Sequence, residues 1–221
     1  MRAKITALIL TLVLLFIPIL TLSGCDRAYD EAEVIAASRE LLADARMLYS
    51  VYYGRGINYT NSGYSDGDYK EADAFHLAEL GFSTISELKT LSYATFSEKY
   101  CENIFEKYLE SYEANNTVYN YARYVQVYDG VNYDKPAYIL VLSDFDYIFD
   151  DRMTYDLDSV KAVRSKGDYV HMTVEVTVEN EDGKSQKTEI EFTLFEEKAG
   201  WRIASPCFAN YNKYLDNELL K

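Results

Sequence analysis

The densest group of side chains able to bind a metal ion is an acidic segment in the second half of the chain. It holds six aspartates: Asp144, Asp146, Asp150, Asp151, Asp156 and Asp158. Calcium takes oxygen ligands at such a density. However, Ile148 stands where a calcium loop of the EF-hand type needs its third ligand, and no glycine follows it. We therefore predict a solvated acidic loop and no metal site.

General acid–base chemistry would draw on only two histidines, His76 and His171. His171 begins an alternating strand on the face shared with Thr173, which predicts a surface position. His76 lies in a short helical stretch and is predicted to be half-buried. No Ser-His-Asp spacing, zinc ligand set or phosphate-binding loop is present. The sequence therefore assigns no catalytic residue and no cofactor, and it argues against a hydrolase.

Tyrosine is unusually frequent, with 22 residues against a single tryptophan. Tyrosines on the first helix and on later strands, together with the tryptophan, are candidates to line a cavity for an apolar or sugar-like ligand. The candidate lining residues are Tyr49, Tyr52, Tyr138 and Trp201. The alternative, which we favour, is that tyrosine fills half-buried seams between helices and strands.

Two of the three cysteines, Cys101 and Cys207, leave two alternatives open. They can form a disulfide if the chain is exported to an oxidising compartment. Cys101 also falls on an apolar helical stripe with Ile104 and Phe105, where a buried free thiol is common. The stripe favours two free thiols, and the spacing alone does not exclude the disulfide.

The elements that must position these residues are dominated by a ribbon from Tyr169 to Ile203 with period-two alternation. Its apolar positions are Met172, Val174, Val176 and Val178, then Ile190, Phe192 and Leu194. Cross-strand partners point to the same face of a sheet. A three-residue loop, Glu181–Gly183, pairs Val174 with Ile190, whereas a two-residue loop would pair apolar with charged residues. We therefore predict the three-residue loop.

Helical periodicity predicts a long amphipathic helix from Asp30 to Tyr53, ended by the Gly54–Gly56 turn. Residues 54–74 are predicted to be loop. The other predicted elements are helices over 84–94 and 97–111, strands over 124–128, 137–142 and 155–164, and a tail helix over 209–220. Helices first and hairpin-linked strands afterwards predict an α+β fold, with N-terminal helices packed on a curved, mainly antiparallel sheet.

The N-terminus has the three regions of a secretory signal: basic Arg2 and Lys4, an apolar run over 5–20, and small residues before Cys25. The sequence Leu22-Ser23-Gly24-Cys25 resembles the lipobox of bacterial lipoproteins. The resemblance implies cleavage before Cys25 and a diacylglycerol thioether on its sulfur. The alternative is ordinary secretion with a chance cysteine. The expected organisation is a signal peptide over 1–24, a lipid-anchored tether over 25–29 and one domain over 30–221.

Lipidation would place the chain on the extracytoplasmic side of the plasma membrane, held there through Cys25. Residues 1–24 carry two basic and no acidic side chains, so the mature chain is two units more negative than the −14 of the whole. Such a charge argues against nucleic acid as a partner and against a second, electrostatic contact with anionic lipid.

The strands from about Val160 to Pro206, with their Lys-Gly and Asp-Gly turns and the ending Gly200-Trp201-Arg202-Ile203, resemble the C-terminal half of the nuclear transport factor 2-like superfamily. With the lipobox, the chain resembles uncharacterised lipoproteins of low-GC Gram-positive bacteria. The resemblance implies a cone-shaped α+β fold whose helices and concave sheet enclose a pocket. It also implies that a homodimer through the exposed sheet face is among the expected partners.

Members of that superfamily include ketosteroid isomerase, scytalone dehydratase and many non-catalytic binding domains, so the fold does not carry the function. An isomerase of this fold needs a carboxylate base in a dry pocket, and a dehydratase needs paired histidines. We expect a non-catalytic module that binds a small ligand or an envelope protein. The alternative is a pocket enzyme of isomerase or lyase type. A two-lobed solute receptor is disfavoured by the short chain.

Overall fold

A computed structural model describes residues 29–110, 112–114, 117–128, 130, 136–146, 148–149, 152–179 and 184–209. Several sequence predictions lie outside these residues. They are the signal peptide and Cys25, the loop over 181–183, Asp150 and Asp151, and nearly all of the tail helix over 209–220. Among the described residues, no helix combines the length and the apolar character needed to cross a bilayer.

Helix α1, Glu31–Tyr53, confirms the predicted long helix. Asp30 is its N-cap, and its Oδ1 accepts hydrogen bonds from the backbone N–H of Ala32 at 2.9 Å and of Glu33 at 3.3 Å. The buried residues of the helix are Val34, Ser38, Leu41, Leu42, Ala45, Leu48, Tyr49, Val51 and Tyr52. Their spacing of three and four residues gives one continuous face that the rest of the chain covers.

Three shorter helices follow: α2, Ala74–Leu80; α3, Ile85–Thr95; and α4, Glu98–Tyr108. Helix α3 matches the helix predicted over 84–94, and Thr84 and Glu87 form a capping box at its start. Ser97 is the N-cap of α4 but makes no side-chain capping bond. The carboxylate of Glu197, distant in sequence, accepts from the backbone N–H of Glu98 at 2.9 Å instead.

The described residues contain ten strands. In chain order they are β1, Ser65–Asp66; β2, Tyr69–Glu71; β3, Tyr112–Ala114; β4, Thr117–Asn120; β5, Tyr124–Tyr128; β6, Pro136–Leu142; β7, Thr154–Lys166; β8, Tyr169–Glu179; β9, Ser185–Glu197; and β10, Gly200–Ile203. They form a small sheet of order β1–β2–β6–β5, a long sheet of order β10–β9–β8–β7, and the β3–β4 hairpin. The fold is therefore mixed α+β, as predicted, but its strands are divided between separate antiparallel sheets.

The register of the long sheet confirms the sequence prediction. Val174 pairs with Ile190 and Met172 with Phe192, as a three-residue loop between β8 and β9 requires. The prediction of a wet opposite face was wrong at two positions: Thr173 is buried, and His171 is half-buried with its Nδ1 3.4 Å from Thr193 Oγ1. Alternation identifies which residues share a face but does not by itself determine how exposed that face is.

The small sheet corrects the prediction that residues 54–74 are loop. Strands β1 and β2 form a short hairpin in this segment, and Tyr69 pairs with Leu142 on β6. Both strands are too short for a period-two pattern to appear, and β2 is held by a partner about seventy residues later in the chain. Pairing with β6, rather than local propensity, makes this segment a strand.

Helix α1 packs on β7 at a bulge, where the β7–β8 register shifts between Asp156 and Lys161. Arginines on the helix reach the irregular strand: Arg39 Nε donates to the carbonyl of Leu157 at 2.9 Å, and Arg46 Nε donates to that of Met153 at 3.0 Å. The bond to Leu157 satisfies a carbonyl that the bulge takes out of the ladder, and the bond to Met153 satisfies one that lies just before β7 begins.

Candidate functional site

The four candidate cavity-lining residues, Tyr49, Tyr52, Tyr138 and Trp201, do not meet in one place. Tyr49 and Tyr52 on α1 have no exposed surface and belong to the packed core. Trp201 on β10 is also buried. Tyr138 on β6 is half-buried and borders a surface groove with Phe82, and its ring contacts that of Tyr64 at 5.7 Å between centroids.

The centre of the protein is an aromatic core, which we define as Tyr49, Tyr53, Phe96, Phe149 and Phe208. The ring of Tyr49 contacts all of the others, with centroids 4.9 Å from Phe208, 5.3 Å from Phe96, 6.0 Å from Tyr53 and 6.1 Å from Phe149. Each tilted or edge-on pair adds about 1 kcal/mol beyond the area that it buries. Rings therefore fill the space between α1, α4 and the residues after β10.

The hydroxyls of the core tyrosines are bonded to the backbone and to one another. Tyr49 Oη accepts from the backbone N–H of Cys207 at 3.0 Å, and Tyr155 Oη donates to the carbonyl of the same residue. The hydroxyls of Tyr53 and Tyr100 lie 3.3 Å apart. Tyrosine thus allows a nearly dry interior to contain backbone polar groups that an all-phenylalanine core would leave unsatisfied.

Burial makes these hydroxyls poor acids. It raises the pKa of Tyr53 to about 12, with the hydrogen bond from Tyr100 opposing the shift, and it raises the pKa of Tyr49 well above its ordinary value. At neutral pH both side chains are neutral hydrogen-bonding groups. They can orient a ligand or a backbone segment but have no driving force to act as bases.

Cys101 and Cys207 are both buried and both free. The free-thiol interpretation favoured by the sequence is therefore confirmed. Burial, followed by the charge of Glu197, raises the pKa of Cys101 to about 12, and burial also raises the pKa of Cys207. A thiol that does not ionise is a weak nucleophile, so neither residue has the properties of a catalytic cysteine.

Sequence reasoning missed a buried arginine at the C-terminus of α1. Arg123 Nη1 donates to the carbonyl of Tyr52 at 2.8 Å, and its Nη2 donates to that of Gly54 at 2.7 Å. The guanidinium lies 4.5 Å from the ring centroid of Phe145. The guanidinium donates to carbonyls at the helix C-terminus that have no donor within the helix. Its positive charge also faces the negative end of the helix dipole. The only sequence signal was a lone basic residue at the start of a strand.

Tyr124 completes this node, which we call the Arg123 node (Gly54, Gly56, Arg123, Tyr124 and Phe145). Tyr124 Oη donates to the carbonyl of Val51 at 2.6 Å and accepts from the N–H of Ile57 at 3.2 Å. Gly56 has φ of +80°, and a Cβ there would overlap the side chains of Arg123 and Tyr124. Gly56 thus gives room for the arginine, whereas a Cβ at Gly54 would meet Phe149 and Ser50.

The described surface has a groove of about 750 Å³ beside the N-terminus of α4. Its lining includes Tyr169 and Phe195, whose rings are 4.7 Å apart, together with the polar side chains of Glu98, Asn103 and Glu197. The volume is within the usual range for small-ligand sites. The combination of an aromatic pair with carboxylate and amide groups suits a ligand with both apolar and hydroxyl surfaces.

The acidic residues and histidines do not form a reactive site in the described part of the chain. Asp144 and Asp146 are exposed, as the solvated-loop interpretation predicts, and no described group of His, Cys, Asp or Glu has a metal-binding arrangement. His76 is half-buried, and its Nδ1 accepts from the N–H of Asn58 at 2.8 Å, which is a structural role.

Comparison with protein-family models, with curated proteins and with solved structures found no match to this chain. The functional conclusion therefore depends on the residues and the geometry described above.

Proposed function

We propose that this chain is an exported lipoprotein, held on the extracytoplasmic face of the plasma membrane through diacylglycerol on Cys25. The sequence motif Leu22-Ser23-Gly24-Cys25 carries this proposal. Its position relative to the fold supports it, because helix α1 begins at Glu31. The chain from Cys25 to Asp30 spans at most about 17 Å when extended, so the motif directly precedes the folded body.

Within that setting, the module binds a small ligand or an envelope protein and does not catalyse a reaction. The aromatic core supports this role, because rings occupy the interior where a pocket enzyme of this class holds its substrate. The groove lined by Tyr169 and Phe195 is the candidate ligand site. It lies on the surface, which suits reversible binding more than chemistry that requires exclusion of water.

The alternative is a pocket enzyme of isomerase or lyase type. Such an enzyme needs a carboxylate in a dry site beside a proton donor. The buried polar and charged side chains of the described residues are Ser38, Ser92, Thr95, Ser97, Arg123 and Thr173. No acid is in this set, which favours the binding module.

The fold that we propose is the cone-shaped type of the nuclear transport factor 2-like superfamily. Helix α1 lies against the long sheet, and the bulge in β7 supplies curvature, both of which support that assignment. The small sheet is the principal departure from the expected single curved sheet.

Mass spectrometry of the protein recovered from bacterial membranes tests the lipidation. The expected N-terminal peptide begins at Cys25 and carries the mass of diacylglycerol and any further acyl chain. A Cys25→Ser variant should keep residues 1–24 and lose the lipid. Recovery of unacylated wild-type protein would exclude the anchor.

Native mass spectrometry of the purified mature protein tests the binding role. A retained small molecule whose occupancy falls in Tyr169→Ala, but not in Tyr128→Ala, would locate the site in the groove. Tyr128 is a matched control because its ring is exposed on the small sheet, away from the groove residues. Retention that neither substitution changes would remove the groove as the candidate site.

A further inference from the structure

The residues after β10 form a strap, Ser205–Ala209, that has no helix or strand yet reaches the centre of the protein. Cys207 has no exposed surface and Ala209 is buried. The strap is held mainly by side chains. Cys207 bonds to the hydroxyls of Tyr49 and Tyr155, and the N–H of Ala209 lies 3.5 Å from the sulfur of Met153.

The aromatic ring of the strap supplies its largest apolar contact. Phe208 packs against Tyr49, Tyr53 and Phe149, with ring centroids 4.9, 5.0 and 5.7 Å away. Removing the strap would leave a cleft between α1 and β7 lined by these rings and by the hydroxyl of Tyr155. This cleft presents apolar surface and two hydroxyls, one placed to accept from the N–H and one to donate to the carbonyl of a single residue.

We propose that this cleft is a peptide-binding site and that the strap is its internal occupant. The ligand that fits is an extended peptide segment of a partner protein, with a small residue followed by an aromatic residue. In the strap, Cys207 is that small residue and Phe208 is that aromatic residue. The inference goes beyond the proposed lipoprotein function and does not depend on lipidation.

Release of the strap is a local event because few backbone bonds join it to the sheets. Ladder pairing of β10 ends at Ile203, after which the N–H of Ala204 donates to Thr193 and Ser205 Oγ accepts from the N–H of the same threonine. Segments with few backbone bonds open at lower free energy than the core strands. The surface groove reaches Ala204, so a ligand bound there would contact the start of the strap.

Thiol labelling compares the strap with an internal reference. Cys101 in α4 and Cys207 in the strap are equally buried, so both react only after opening. The intact mature protein is treated with iodoacetamide in increasing urea below its unfolding transition, and each cysteine is followed by mass spectrometry of its digestion peptide. We expect Cys207 to react faster, with a weaker dependence on urea, because its opening exposes less surface. Equal rates with equal urea dependence would overturn local release.

Substitution of two phenylalanines tests whether the labelling rate of Cys207 depends on the contacts of the strap. Phe208→Ala should raise the rate at Cys207 about ten-fold or more, because several ring contacts are lost, and should leave Cys101 nearly unchanged. Phe75→Ala is the matched control, since Phe75 is 86% exposed and lies on α2. Acceleration of both cysteines to the same extent would mean global destabilisation and would contradict the proposal.

A synthetic peptide tests the cleft as a binding site. The probe is the fluorescein-labelled, amidated segment of residues 204–209 with serine for Cys207, and its control has alanine for Phe208. In wild-type protein the internal strap competes at an effective concentration of about millimolar, so binding should be weak. Phe208→Ala protein should bind the probe more tightly than wild type does, and more tightly than it binds the control. Equal binding of probe and control, or no saturable binding, would overturn the assignment.

Discussion

Helix α1 is held by two regions that work in different ways. Along its length it packs on the long sheet, where Met172, Val174 and Phe192 form regular apolar rows. At its C-terminus it ends in the Arg123 node, where a buried cation and a tyrosine hydroxyl bond to its last carbonyls. The first region is stabilised in proportion to the apolar area that it buries, and the second by the number of polar groups that it satisfies.

This difference sets how each region fails. A row of apolar side chains loses stability gradually as volume is removed. A polar node loses stability abruptly, because each missing donor leaves a buried carbonyl unsatisfied. An added atom in the node also causes a clash with the side chains packed there. Substitutions in the node and in the long sheet therefore distinguish the two modes of stabilisation.

The largest effect is expected at Arg123. Arg123→Met keeps the volume but removes the donors to Tyr52 and Gly54, and we expect a loss of about 4 kcal/mol in the free energy of unfolding. Arg123→Lys should lose less, because it keeps the charge but not the fork of donors. Urea unfolding measures both variants, with the exposed Arg164→Met on β7 as control. If Arg123→Met loses no more unfolding free energy than Arg164→Met, the Arg123 node does not stabilise the helix end as described.

Removal of volume from the long sheet should have the next effect. Met172→Ala leaves a cavity under a fully buried side chain, and we expect a loss of about 3 kcal/mol in unfolding free energy. Val163→Ala, on the same sheet with its side chain 60% exposed, should change stability little. If the two variants unfold at the same urea concentration, the apolar row does not stabilise the sheet as described.

Addition of one methyl group separates a clash from backbone strain. Gly56 and Gly67 both have positive φ, at +80° and +58°, so alanine is strained at either position. Only at Gly56 would a Cβ meet side chains, while nothing lies within 4 Å at Gly67. Gly56→Ala should therefore be less stable than Gly67→Ala by about 2 kcal/mol in thermal or urea unfolding. Equal losses of stability in Gly56→Ala and Gly67→Ala would show that Arg123 and Tyr124 move aside to accommodate the added methyl group.

The smallest effect concerns a helix end that is capped locally. Hydrogen bonds from Ser83, then from Thr84, lower the pKa of Glu87 at the start of α3. Because folding lowers this pKa, the carboxylate stabilises the protein above the ordinary pKa of a glutamate and loses that contribution as pH falls through the lowered value. Glu87→Gln should be slightly less stable than wild type at neutral pH, and the difference in melting temperature should vanish in acid.

The exposed Glu79→Gln on α2 is the control for that pH dependence. A difference between Glu87→Gln and wild type that stayed constant from neutral to acidic pH would show that the carboxylate charge does not contribute to the cap.

Residues close in sequence explain which elements could be predicted. Asp30 and Thr84 bond to backbone groups two or three residues away, so composition and spacing were enough to predict the starts of α1 and α3. The register of β8 and β9 followed from alternation, because a slip of one residue would place every valine on the polar face. Strand β2 gave no such pattern, since its partner on β6 lies far along the chain.

The candidate sites depended still more on distant contacts. The sequence suggested Tyr49 and Tyr52 as residues facing a ligand, because an amphipathic helix marks an inner face without showing what covers it. In the structure, the strap covers Tyr49 and places Phe208 against its ring. The groove by α4 combines Tyr169 and Phe195 with residues of a helix that lies far earlier in the chain, which no local pattern indicates.

The sequence by itself determined the α+β class, the first helix with its cap, and the register of the long sheet, because each depends on periodicity or on neighbours along the chain. Tertiary structure alone decided the small sheet, the buried Arg123 and the burial of Cys207 under tyrosine hydroxyls. In each of these cases the bonding partner is distant in sequence, and a buried polar group is stable only where the whole fold brings that partner to it.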